Sequence, residues 1–138
     1  MAAHKPKSKY HLSMLVDDND IDNFINQKMI EGTRFSEKIF IFSSARATLE
    51  YFNNISQDSV MAGGLMPDII FLDINMPMMD GFQFLDQFEG INEKVGNKCK
   101  IAILTTSSNP DDKKHFLSKK NVIGFVTKPL TENALASL

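Results

Sequence analysis

A doubly wound α/β fold, with five parallel strands and helices on both faces of the sheet, is predicted by three features of this sequence. Short apolar runs recur five times, segments of helical period separate them, and acids or hydroxyls stand at the carboxyl ends of several runs. The first run, YHLSMLV (10–16), is a strand. Behind it Ile21, Phe24, Ile25 and Met29 recur at helical spacing after acids and Asn, the pattern of an amphipathic helix and its N-terminus. KIFIFS (38–43) is the second strand, and a weaker helical pattern follows Ser44. The stretch 53–67, NNISQDSVMAGGLMP, has no consistent period and holds Gly63, Gly64 and Pro67, so it reads as a surface loop. DIIFLD (68–73) is the third strand, with a further helical pattern after Gly81, and KIAILT (100–105) is the fourth. Asn109, Pro110, Asp111 and Asp112 supply a capping residue, a proline at the first helical position and acids in the first turn, which sets a helix over 110–118. IGFVT (123–127) is the fifth strand, and TENALASL leaves about two turns of a last helix at ~3.6 residues per turn. Strands that alternate with helices join through right-handed crossovers, and sites in such sheets form at the carboxyl ends of the strands.

The chain has 138 residues, 43% hydrophobic and 23% charged, which suits one domain with a single core and leaves no room for a second. A net charge of −2 supplies no basic field for nucleic acid or an acidic membrane, so proteins or small molecules are the expected partners. Cys99 is the single cysteine and forms no internal disulfide. No apolar run approaches the ~20 residues needed to span a bilayer, and MAAHKPKSKYH lacks the apolar core of a signal peptide. These features predict a cytoplasmic chain that does not bind membranes, with residues 1–9 as a flexible tail before a domain over 10–138.

Asp17 and Asp18 follow the first strand, Asp73 ends the third, Thr105 ends the fourth and Lys128 follows the fifth. In a parallel sheet all five reach one edge. Any one of these acids alone is accounted for as a helix cap; the five positions together are not. Carboxylates gathered there repel one another, and a hard divalent cation with oxygen ligands, typically Mg2+, relieves the repulsion. With the positive charge of Lys128 added, the surroundings of Asp73 suit a phosphoryl group: its carboxylate would attack phosphorus, and Thr105 would donate to an equatorial oxygen.

The segments VDD (16–18), LDINMPMMDG (72–81), LTTSS (104–108) and GFVTKP (124–129) closely resemble the receiver domain of two-component response regulators, in family order and over about residues 10–138. The resemblance implies the flavodoxin-like strand order 2-1-3-4-5. It implies Asp73 as phosphoacceptor, Asp18 as a direct Mg2+ ligand, Asp17 as a ligand acting largely through water, and the backbone carbonyl of Asn75 as a further ligand. Thr105 takes the place of the switch hydroxyl, Lys128 that of the phosphate-pairing cation, and Phe125 that of the switch aromatic. The implied function is phosphorelay signalling: a phosphoryl group arrives from a histidine kinase or phosphotransfer protein, and a surface that binds a downstream protein changes. Such a chain is not an enzyme beyond its own phosphorylation and dephosphorylation, and it does not bind nucleic acid itself. Under this reading the turn through Pro77 presents the Asn75 carbonyl, and Gly81 serves by tolerating positive φ.

Three departures from the family pattern stand out. Thr106 follows the switch threonine where a small residue is usual, Asn19 and Ser107 lie within reach of the site, and the last helix is short. Haloacid dehalogenase-like phosphatases share the aspartyl chemistry, but Asp73-Ile74-Asn75 lacks their second acid and the chain has no length for a cap domain. Asp18, Asp20 and Asp22 imitate the start of a calcium-binding loop, which Asn23 and Met29 then break; Asp20 and Asp22 read instead as solvated acids of a helix's first turn. No GxxxxGK[ST] or GxGxxG occurs, and His4, His11 and His115 lack metal-ligand spacing.

Overall fold

A computed structural model describes residues 8–56, 65–76, 78–94, 96, 98–106 and 110–138. Five strands form one sheet: β1 (Tyr10–Val16), β2 (Ser36–Phe42), β3 (Ile69–Asp73), β4 (Lys100–Thr105) and β5 (Val122–Thr127). All four pairings are parallel, in the order β2-β1-β3-β4-β5, as the family resemblance implies. The helices are α1 (Asp20–Thr33), α2 (Ala45–Ser56), α3 (Gly81–Lys94), α4 (Pro110–Leu117) and α5 (Glu132–Ala136). None among the described residues is long and apolar enough to cross a membrane.

The central strand β3 is buried along its whole length because both of its faces are covered. Alternation with period two divides the core. Met14, Val16, Ile70, Leu72, Ile101 and Ile103 point to one face, where Phe52, Phe88 and Phe116 from α2, α3 and α4 meet them. Leu15, Ile69, Phe71, Ala102 and Leu104 point to the other, against Ile30 of α1 and Leu135 of α5. The fully buried rings of Phe52 and Phe88 lie 4.6 Å apart, and each adds roughly 2 kcal/mol of burial.

Several elements differ from the sequence-based expectation. Residues 53–56 belong to α2 instead of a loop, because Ile55 adds one more buried contact to the helix's core face. Residues 57–64 of that stretch lie outside the described residues, as do residues 1–7 of the expected tail and the Asn109 cap. The α1 pattern is helical, but its apolar side faces solvent: Ile21, Phe24 and Ile25 are 70%, 59% and 44% exposed. Its inner side carries Asn23, Asn26 and Ile30. Two of these are polar because they hold backbone that the sheet leaves unpaired, as described below.

Gly81 is needed for space, not for φ. A Cβ there would lie 2.9 Å from Ile74 Cγ2 and 3.1 Å from Ile74 Cα, while the positive φ in this turn belongs to Met78 at 71°. The turn then enters α3 through a reciprocal cap, Gln83 N donating to Asp80 Oδ1 and Asp80 N donating to Gln83 Oε1, both at 3.0 Å. Gly81→Ala is therefore expected to cost about 1–3 kcal/mol by pushing Ile74 off the end of β3. Urea denaturation checks this.

Candidate functional site

The carboxyl ends of β1, β3, β4 and β5 bring the predicted residues together. Asp17 and Asp73 are buried at 1% and 3% exposure, and Asp18 is exposed beside them. Each of the three offers a carboxylate oxygen within 4.8 Å of the others. Thr105 is fully buried at the end of β4, one position past Leu104, which pairs with Asp73 in the sheet register. Lys128 follows β5, and its backbone N–H donates to the Thr105 carbonyl at 2.8 Å, which ties the lysine's loop to β4.

Local turns fix the acids. The Asn19 N–H donates to Asp17 Oδ1 at 2.9 Å, and the Asn75 N–H donates to Asp73 Oδ1 at 3.3 Å. Asn19 also caps α1 by accepting from the Asp22 N–H at 3.0 Å. Among the residues that depart from the family pattern, Thr106 is exposed and Ser107 lies outside the described residues.

Among the described residues one ammonium reaches this group, and it is held off-centre. Lys128 Nζ is 2.7 Å from Asp17 Oδ2, 3.0 Å from Asp22 Oδ2 and 3.6 Å from Asp73 Oδ1. Asp22 is thus part of the site, a correction to its expected place among solvated acids. Its place in the first turn of a helix that starts at the site was the available signal. Asn23 and Asn26 were also missed. Asn23 Nδ2 donates to the Asp17 carbonyl at 2.8 Å, and Asn26 Oδ1 accepts from the Leu130 N–H at 2.9 Å, so one helix face holds both loops that carry the charged groups.

Electrostatics follow from this geometry. Burial and the neighbouring charge of Asp17 push the Asp73 carboxyl above its ordinary value, against the opposing Asn75 hydrogen bond and Lys128. Burial pulls the Lys128 ammonium down, but the hydrogen bonds to Asp17 and Asp22 outweigh it and leave the group above its ordinary value. Three carboxylates contact one lysine and Asp18 lies beside them, so among the described residues the cluster carries excess negative charge. An all-oxygen donor set of this kind fits a hard divalent cation and suits a thiophilic metal poorly.

Phe125 lies on β5, partly buried, with its ring 6.3 Å from that of Phe116 at a tilted angle. It packs against the same core cluster as α3 and α4.

The family model for the response regulator receiver domain matches residues 14–138. A two-component response regulator from Cytophaga hutchinsonii shares 33% identity and superposes with a TM-score of 0.83, covering 93% of this chain and 92% of that one. Two-component response regulator 24 of Arabidopsis thaliana is 28% identical over 91% of this chain and 79% of its own length. Hybrid signal transduction histidine kinase L of Dictyostelium discoideum is 36% identical over 85% of this chain, which spans 6% of that protein. At 17% identity, the receiver domain of the histidine kinase CKI1 from Arabidopsis thaliana, complexed with Mg2+, shares the fold with a TM-score of 0.77.

Proposed function

This chain belongs to the response regulator receiver domain family, and on that premise we propose that Asp73 accepts a phosphoryl group from the phosphohistidine of a histidine kinase or phosphotransfer protein. The observation that carries the proposal is a buried carboxylate at the end of the central strand with two acids within 4.8 Å and an ammonium 3.6 Å away. An Asp73 oxygen would form the new bond to phosphorus as the bond to the histidine nitrogen breaks, and that nitrogen would keep the bonding electron pair and take up a proton from solvent. Asp17, Asp18, Asp73 and the Asn75 carbonyl would hold Mg2+, which when bound supplies positive charge against the phosphoryl oxygens. Lys128 would pair with one of those oxygens and the Thr105 hydroxyl would donate to another.

A protein donor is supported by the exposed Ile21, Phe24 and Ile25. They share α1 with Asp22, so a partner covering the mouth of the site would bury them. The downstream effect would run through Thr105 and Phe125. Movement of the hydroxyl toward the phosphoryl group would open space for the ring to turn inward and reshape the surface of α4, β5 and α5. Phe has no hydroxyl to hold either position, so packing alone would set the balance. The chain would act as a cytoplasmic signalling protein whose only catalysis is its own phosphorylation and dephosphorylation.

The phosphoryl mimic beryllofluoride tests this reading. With Mg2+ present, NMR shift changes are expected at residues around Asp73, Thr105, Phe125 and Lys128, and chelation of the metal should reverse them. Shift changes confined to other faces, or indifferent to Mg2+, would contradict it.

A further inference from the structure

Lys128 has three ammonium donors, and its two shortest contacts are not with the phosphoacceptor but with Asp17 and Asp22. The arrangement is built in from both sides. The lysine's loop is fixed by the Lys128 N–H on Thr105 and by the Leu130 N–H on Asn26 of α1. Asp22 is fixed by the Asn19 cap, which is itself anchored on Asp17. The same helix thus places the acid and holds the loop that carries the base.

We propose that Asp22 is a positioning residue that competes with the phosphoryl group for Lys128. The inference rests on the assignment of Asp73 as phosphoacceptor and deepens it. In the unphosphorylated protein Asp17 and Asp22 keep Nζ 3.6 Å from Asp73, beyond hydrogen-bonding distance. A phosphoryl group on Asp73 draws the ammonium toward itself, and the contact that yields is the one to Asp22. It is longer than the Asp17 contact, and the Asp22 side chain is 32% exposed, so water replaces the lysine there at little cost. Asp17, at 1% exposure, has no such replacement. Asp22 thereby weakens the hold on phosphate, sets a threshold for phosphorylation, and returns the lysine when phosphate leaves. An ordinary helix-terminal acid would instead act on α1 alone through its dipole.

Beryllofluoride titrations in Mg2+, followed by NMR, separate these roles. Asp22→Asn is nearly isosteric and removes the competitor, so it should bind the mimic about 3- to 10-fold more tightly, the range a partly exposed charge pair supplies. Asp22→Glu keeps the charge and should stay near the parent. Asp20→Asn removes the same charge from the same helical turn, at an exposed side chain, and should also stay near the parent. An unchanged or weaker Asp22→Asn overturns the inference, as does an equal gain in Asp20→Asn, which would mean that charge alone matters. A parent whose binding survives Asp73→Asn overturns the assignment of Asp73 and this inference with it. A parent that binds only through Asp73, with Asp22→Asn unaltered, overturns this inference alone.

Discussion

Lys128→Ala is expected to destabilise the metal-free protein by about 3 kcal/mol at neutral pH, the largest stability loss of any substitution in the site. The lysine side chain is 9% exposed and contacts Asp17 at 1% and Asp73 at 5%, so removing it leaves two buried carboxylates facing each other without a counter-charge. Asp22, being partly exposed, can turn to water; the other two cannot. Millimolar Mg2+ should restore more stability to the variant than to the parent, because in the variant it replaces the positive charge that Lys128 gives the buried acids. The pH dependence has a definite sign. Lys128 sits above its ordinary value of 10.5 in the folded protein, so its contribution is fully present below that pH and is lost as pH rises through the folded value. The gap between parent and variant should stay constant through neutral pH, narrow in acid as the Asp73 carboxylate takes up a proton, and close in strong alkali as Lys128 loses its own. Urea denaturation across that range checks both points, and a neutral-pH difference under about 1 kcal/mol would mean that water reaches the acids more freely than their burial indicates.

The three central strands β1, β3 and β4 were legible in the sequence because they are buried on both faces, and continuous apolar runs such as 69–72 follow directly. The convergence of Asp17, Asp18, Asp73, Thr105 and Lys128 was legible for the same reason, since parallel strands share one carboxyl edge. Helix orientation was not. On α1 the residues Ile21, Phe24 and Ile25 and the residues Asn23, Asn26 and Ile30 both fit a helical period, and hydropathy alone selects the wrong set as the inner face. The asparagines face inward because the Asp17 carbonyl and the Leu130 N–H have no sheet partner and need side-chain ones. Nothing local in the sequence announces such a long-range contact. Gly81 carries the same lesson. A glycine after an Asp suggests a turn requiring positive φ, whereas the constraint is the approach of Ile74 from the end of β3.

Asp73→Asn is expected to abolish phosphorylation and, in the absence of metal, to stabilise the fold at neutral pH. Phosphorylation is lost because an amide lacks the carboxylate nucleophile, and stability is gained because a carboxylate whose ionised form is disfavoured in a buried, negatively charged place has been removed. Burial and the charge of Asp17 hold the Asp73 carboxyl above its ordinary value of 3.8, so its favourable contribution is present below that value and lost as pH rises through the folded one. Asparagine does not ionise and escapes the loss. The variant's advantage should therefore be evident at neutral pH and vanish in acid, and Mg2+ should narrow it by stabilising the parent. A variant less stable than the parent at neutral pH would show that the Lys128 and Asn75 contacts outweigh the crowding.

The most direct test of Asp73 as the phosphoacceptor is to incubate the protein with Mg2+ and acetyl phosphate, reduce any acyl phosphate with borohydride, and map the modified residue by peptide mass spectrometry. One phosphoryl group per chain is expected, reduction should mark Asp73, and the mark should be absent without Mg2+ and in Asp73→Asn. A reduced residue at Asp17, Asp18 or Asp22 in the parent, or equal phosphorylation of Asp73→Asn, would contradict it.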